Sequence, residues 1–416
     1  MNNEFNNNAA SYKTAISLKV IGVGGAGNNA VNMMYDENLP NVDFIVANTD
    51  LQSLEKSKCT HKVALGKENR GFGAGSDPKL GAKAVDESTA EVKEALKDAD
   101  VVIITAGFGG GTGTGASPKI AQIAKESGAL TIGLVTTPFV YEGKNRMLVA
   151  QNGIEQLKQA VDSYIVLSNE KLSDENPDVP FADSLKLSNI TLKNIIMAIH
   201  DVLNRVGTIN IDFADIKHTL KDSGLTIVGI GQAVGENRAE KAVKKAFETN
   251  LYEYNIKHAS KLLINIQHDK LVTNKEIRNA VSSIHEILSG QDGFINDCKI
   301  GQEIVETEDN KQIFKVSIIA SGVDPTTTDV QEEKVTSKID AIADLQPEIE
   351  NTEEVMLEQE EENEMIKNTL EADSNALLHA TEEVKYAQTK ELNSYFDIDD
   401  TSLTDEQEET SWFISK

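Results

Sequence analysis

The sequence predicts an α/β fold. A parallel sheet flanked by helices is followed by a long central helix, a second smaller α/β domain and a disordered acidic C-terminal tail. Three observations carry this expectation. Residues 12–180 alternate short apolar runs with helical stretches, the pattern of successive βαβ units. A stretch near residues 183–206 sets apolar side chains at close to 3.6-residue spacing. After Gly322 the chain loses glycine altogether and turns strongly acidic.

The elements follow in order. Strands are expected at 16–22, 42–48, 101–106, 130–136 and 163–168, each a short apolar run bounded by turn residues. Helices are expected after the glycine-rich turns and around 80–97 and 145–159. The central helix carries Leu185, Leu192, Ile195, Ile196, Ile199, Leu203 and Val206 on one stripe, with Gly207 as its stop. Ordinary core packing accounts for most of that stripe. Further strands are expected near 225–230, 262–267, 294–300 and 312–320. The run Leu225–Gly231 ends in G-x-G and reads as a strand leading into a loop.

Two glycine-rich turns each follow a strand candidate. The first is Gly22-Val23-Gly24-Gly25-Ala26-Gly27-Asn28-Asn29; the second is Gly109-Gly110-Gly111-Thr112-Gly113-Thr114-Gly115. A turn between a strand and a helix points backbone N–H groups at one spot, at the positive end of the helix dipole. Glycine permits close approach of a phosphate there. Taken alone, the first turn fits G-x-G-x-x-G, the Rossmann dinucleotide fingerprint, and Asp50 lies at the spacing expected of a ribose-binding acid. An NAD-dependent oxidoreductase is therefore one reading. No G-x-x-x-x-G-K-[ST] phosphate loop is found, since Gly66-Lys67 is followed by Glu68. Two such turns, the second with interleaved threonines, suggest a polyphosphate held from two sides.

The second turn resembles the signature loop of the tubulin/FtsZ superfamily, and other segments then match that family in order. Asn48-Thr49-Asp50 resembles its ribose-side loop, and Gly71-Phe72-Gly73-Ala74-Gly75-Ser76-Asp77-Pro78 its γ-phosphate loop. Thr137–Arg146 resembles the segment with a ribose-binding Glu, here Glu142, and a nucleotide-binding Arg, here Arg146. Asn210-Ile211-Asp212-Phe213-Ala214-Asp215 resembles the loop that reaches into the neighbouring subunit. The resemblance runs from about residue 16 to about 322. It implies a Rossmann-like GTPase domain that binds GTP or GDP, with Mg²⁺ held mainly through the nucleotide.

The implied nucleotide contacts are Gly25, Ala26, Gly27, Asn28 and Asn29 on the first turn, Asn48 and Asp50, Ala74 and Gly75, then Gly111, Thr112 and Gly113, Glu142, Arg146 and Asn189. Asn189 would face the guanine edge, since an amide both donates and accepts. The family usually has an aromatic where this chain has Leu185, so stacking on the base is weakened. GTP hydrolysis also needs an oriented water, and no residue between the phosphate loops is an obvious base. The resemblance assigns that task to Asp212 and Asp215, with Asn210, acting on the next subunit's nucleotide. Two carboxylates three apart are also a common helix-start feature. Hydrolysis at a head-to-tail contact that does not close gives an open filament. The family reading is a filament-forming GTPase of the bacterial cytokinetic ring; a nucleotide-binding scaffold without turnover remains the third possibility.

Composition narrows the partners. Hydrophobic content is 39%, enough for a core, and no apolar run approaches the ~20 residues of a membrane span. The polar N-terminus has no apolar signal core, so a cytoplasmic protein is expected, at the midcell ring by the resemblance. Cys59 and Cys298 form neither a metal pattern nor a disulfide framework. Residues 323–416 hold 27 acidic and 6 basic residues, a net −21 of the chain's −27. That segment has too little apolar surface to offset ordering entropy and disfavours nucleic acid or anionic lipid as partners. Its two apolar clusters, Tyr395–Ile398 and Ser411–Lys416, are candidates for docking on membrane-tethering and regulatory division proteins. The expected organisation is a disordered N-terminus over 1–14, a GTP-binding domain over 15–182, the central helix over 183–207 and a GTPase-activating domain over 208–322. A disordered acidic linker over 323–409 and a partner-binding peptide over 410–416 complete it.

Overall fold

The computed structural model describes residues 16–37, 39–66, 71–204, 209, 211–254, 256–289, 297–304 and 313–324. The expectations for residues 1–14, Asn210, Val206, Gly207 and both apolar clusters of the tail lie outside the described residues.

Strands β1 (Leu18–Val23), β2 (Val42–Asn48), β3 (His61–Ala64), β4 (Val101–Gly107), β5 (Leu130–Thr137) and β6 (Ser163–Ser168) pair in parallel in the order β3-β2-β1-β4-β5-β6. The inner strands are apolar almost without interruption because helices cover both faces of a parallel sheet. In β4 every residue from Val101 to Ala106 is buried. Helices α1 (Gly24–Tyr35) and α5 (Thr112–Glu126) begin at the two glycine-rich turns, directly after β1 and after β4. Between them lie α2 (Leu51–Lys56), α3 (Pro78–Glu87) and α4 (Thr89–Ala95). The single helix expected over 80–97 is thus two, broken at Ser88. The Ser88 hydroxyl accepts from Gly66 N at 3.0 Å, so the break serves a tertiary contact.

Helices α6 (Lys144–Ala160) and α7 (Asn169–Asp174) follow, then the central helix α8 (Phe181–Asn204). Leu192, Ile195, Ile196, Ile199 and Leu203 are buried as the stripe requires, but Leu185 is 60% exposed and leaves the core. Helix α8 packs beside α1 and runs in the same direction. Lys193 pairs with Glu37, just past the end of α1, and His200 Nε2 meets the Pro40 carbonyl at 3.2 Å. The start of α8 therefore lies at the glycine-turn end of α1.

The second half holds α9 (Phe213–Leu220), β7 (Gly224–Val234), α10 (Arg238–Phe247), β8 (Lys261–His268), α11 (Asn274–Ser289), β9 (Asp297–Ile304) and β10 (Ile313–Ser321). Strand β10 is antiparallel to β7 and β8, and β9 is parallel to β8. Only Ser163 and Tyr164 of β6 pair with β7, joining the sheets in one order. The G-x-G of β7 is not a strand end. A Cβ on Gly229 would lie 2.0 Å from the Ala246 carbonyl oxygen, and one on Gly231 1.9 Å from that of Ala242. The two glycines let α10 lie against the strand, which continues to Val234.

Candidate nucleotide site

The carboxyl ends of β1, β2, β4, β5 and β6 bring the predicted loops together, as parallel α/β sheets do. The contacts between loops are direct. Thr49 Oγ1 and Thr112 Oγ1 lie 2.6 Å apart. A Cβ on Gly24 would meet Gly113 N at 3.0 Å, and one on Gly111 would meet Ala74 Cβ at 2.9 Å. Gly109 would meet Arg146 Cγ at 2.9 Å. Arg146 Nη1 pairs with Glu142 Oε2 at 3.0 Å, while Glu142 Oε1 accepts from Phe139 N at 2.9 Å. The loop after β5 is tied to the end of β6 by Val140 N donating to Glu170 Oε2 at 3.0 Å. Ser188 Oγ donates to Asn169 Oδ1 at 2.8 Å, fixing the start of α8 to the same rim.

The glycines of these loops fall into two groups. Those at 22, 27, 113 and 115 are needed by the chain itself: a Cβ on Gly27 would sit 2.2 Å from the Thr105 carbonyl oxygen, and one on Gly115 1.8 Å from that of Pro78. Gly25 and Gly110 have nothing within 4 Å of an added Cβ and no left-handed backbone. Neither packing nor conformation requires glycine at these two positions, and its absence of a side chain leaves room for close approach by a phosphate. Two open glycines on the two turns at the heads of α1 and α5 fit the polyphosphate of a nucleotide held by backbone N–H groups and helix dipoles.

The predicted side chains divide likewise. Gly25, Ala26 and Asn29 face solvent on the first turn, with Asn48 buried beneath. Asn28 is 2% exposed. With its amide oriented to satisfy its neighbours, it donates to the carbonyls of Gly22 and Gly24 at 2.8 and 3.1 Å and accepts from Asn48 Nδ2. It braces the turn from behind. Asp50 caps α2: Oδ1 accepts from Gln52 N and Ser53 N, and Oδ2 from Ser53 Oγ at 2.6 Å. The Ser53 hydroxyl, with the two backbone N–H groups, holds its carboxyl below the ordinary range against the opposing effect of burial. Gly75 is exposed, Ala74 is 4% exposed, and Asn189 is half-buried. Thr49 and Glu170, which tie the loops together, were not among the expected contacts; only their places at strand ends could have marked them.

The acidic segment is elsewhere. Asp212 is exposed at the head of α9, and Asp215 Oδ1 lies 3.6 Å from Lys299 Nζ on β9. From Asn189 to the end of α8 at Asn204 the rise is about 22 Å at 1.5 Å per residue. Beyond that helix Ile209 is held on β9, its N–H and carbonyl both pairing with Gln302. Among the described residues no three His, Cys, Asp or Glu side chains gather to hold a metal, and no helix is long and apolar enough to cross a membrane.

Both halves of the chain match known proteins. Residues 17–177 match the GTPase domain of the Tubulin/FtsZ family, and residues 224–324 the C-terminal domain of the FtsZ family. The chain is 42% identical over 332 residues to the cell division protein FtsZ of Mycoplasmopsis pulmonis, covering 80% of this chain and 84% of that one. An FtsZ dimer structure from M. jannaschii superposes with a TM-score of 0.69 at 37% identity, over 75% of this chain and 90% of that one. CetZ1 from Haloferax volcanii, in a GDP-bound monomer structure, shares the fold with a TM-score of 0.64 at 23% identity, over 79% and 100%. The dinucleotide reading of the first turn gives way to these matches. The chain belongs to the FtsZ family, the cell-division GTPases of the tubulin superfamily.

Proposed function

We propose that this chain polymerises head to tail and hydrolyses GTP at the junction, one subunit holding the nucleotide and the next supplying the carboxylates. The separation between the nucleotide loops and the acidic segment carries this reading. A helix is too stiff to fold Asp212 and Asp215 back onto their own phosphate loops, and the pairing of Ile209 with Gln302 holds them away. A copy stacked along α8 presents them to its neighbour. The dimeric state named for the M. jannaschii relative supports self-association.

In this arrangement the N–H groups of the two turns stabilise charge on the β/γ-phosphates, and Ala74 and Gly75 reach the terminal one. Mg²⁺, when bound, neutralises phosphate charge and keeps most of its waters, so the nucleotide itself is its main holder. Glu142 and Arg146 face the ribose side, and Asn189 reads guanine. Asp212 and Asp215, helped by Asn210, orient and polarise the attacking water.

Phosphate release from GTP tests the reading. The rate per subunit is expected to rise with protein concentration, and ATP and NADH are expected to be poor ligands. A rate independent of concentration contradicts the shared site. Leu185, exposed beside the proposed base position, supplies apolar contact without a ring. Leu185→Phe is expected to tighten GTP binding a few-fold, about 0.5–1 kcal/mol of stacking, in competition against GDP-fluorophore; unchanged affinity would move the base away from α8.

The chain acts, on this account, in the cytoplasm at the midcell ring, with its acidic tail joining the filament to membrane-tethering proteins. Deleting residues 411–416 is expected to leave turnover intact while removing recruitment in cells. Normal ring placement would shift the docking role to Tyr395–Ile398.

A further inference from the structure

Strand β9 does more than close the sheet. Ile209 N donates to the Gln302 carbonyl at 3.2 Å, and Gln302 N to the Ile209 carbonyl at 2.9 Å. A Cβ on Gly301 would lie 3.2 Å from Ile211 Cγ1, so the absent side chain leaves room for Ile211 to lie on the strand. Two residues before Gly301, on the same face of β9, Lys299 reaches Asp215 Oδ1 at 3.6 Å. Residues 209, 211 and 215 are thus set against one strand, by backbone pairing, by packing and by charge.

We propose that Lys299 is a positioning residue for GTP hydrolysis, holding the Asp215 carboxylate in place and supplying its counter-charge as it meets the next subunit's triphosphate. The inference rests on the shared-site function proposed above. A carboxylate brought up to a polyphosphate meets like charge, which favours swinging aside. A lysine behind it opposes that. Lys299 and Asp215 are each 41% exposed in the single chain, where such a pair contributes little. Burial at a junction lowers the local dielectric and strengthens it.

Other charged groups near Asp215 among the described residues are engaged or lie further along the elements. Asp297 on β9 shares Lys299, at 3.9 Å. Asp212 stands at the head of α9, and Lys217 and His218 lie further along that helix. On β8, Lys261 is engaged with the His218 carbonyl at 2.8 Å. Among the described residues, Lys299 of β9 is the cation paired with this carboxylate.

The test uses the full chain with Lys299→Met and Lys299→Arg, measuring GTP binding, KM and kcat. Lys299→Met is expected to bind GTP normally and to lose about tenfold in kcat, a fraction of what a positioned acid–base group contributes. Lys299→Arg is expected to restore most of the rate. Parental kcat in Lys299→Met would overturn the proposal. So would equal loss in both variants, which marks a structural role only. Asp215→Ala separates the two levels. Full activity there removes the shared-site reading itself, whereas an inactive Asp215→Ala beside a normal Lys299→Met removes only the role of Lys299.

Discussion

Asp215→Ala is expected to lower GTP turnover at least about a hundredfold, the contribution of a positioned water-activating group, with GTP affinity unchanged. The reason is geometric. Asp215 sits in the first turn of α9, and its backbone N–H already bonds the Asp212 carbonyl at 3.0 Å. Its carboxylate meets Lys299 across a half-exposed surface, so alanine removes little that the fold needs. The whole effect should fall on kcat rather than on nucleotide binding, because the residue lies beyond α8 from its own phosphate loops. Parallel measurement of steady-state turnover and equilibrium GTP binding decides the matter. Loss of binding together with turnover would place Asp215 in its own subunit's site instead.

Two alanine substitutions within the glycine-rich turns are expected to fail in opposite ways. Gly115→Ala places a Cβ 1.8 Å from the Pro78 carbonyl oxygen, where α3 crosses α5 on backbone alone. Forcing the helices apart costs about 3 kcal/mol or more, as overpacking does when no side chain can yield, and should appear as a large drop in Tm. Gly25→Ala meets nothing within 4 Å and should melt like the parent. Its methyl group instead intrudes on the space kept for phosphate, with an expected loss of about tenfold or more in GTP affinity, 1.4 kcal/mol per tenfold. Normal GTP binding in Gly25→Ala would show that the open glycine serves no ligand.

Much of the fold was legible because a parallel sheet buries both faces of its strands. β1, β2, β4, β5 and β6 are apolar runs that need no context to be seen. β3 was not, since it is an edge strand with Val63 alone buried among His61, Lys62 and Ala64. The break between α3 and α4 carries neither glycine nor proline; it is set by what Ser88 touches across the fold. The glycines of β7 read as a loop because local sequence cannot reveal that α10 lies on them.

The candidate site shows the same division. Glycine spacing marked the two turns that stand at the heads of α1 and α5. It could not separate Asn28, which turns inward, from Asn29, which turns outward, since adjacent helical residues point about 100° apart and only the packing decides which is inside. The carboxylate of Asp50 is spent on capping α2, a local use that its place after a strand did not disclose. Lys299 left no signal at all, being one lysine in a strand that becomes relevant only because β9 brings it to Asp215 of α9.

One site built from two subunits implies that two inactive variants complement each other: Asp215→Ala, which keeps a nucleotide site, and Gly25→Val, which keeps its carboxylates. Each alone should release little phosphate from GTP. An equal mixture should regain activity at those junctions where Asp215→Ala offers its nucleotide to the Asp215 of a Gly25→Val neighbour, about a quarter of them if the copies join at random head to tail. A mixture no more active than its separate components, with assembly of both variants verified, would contradict the shared site.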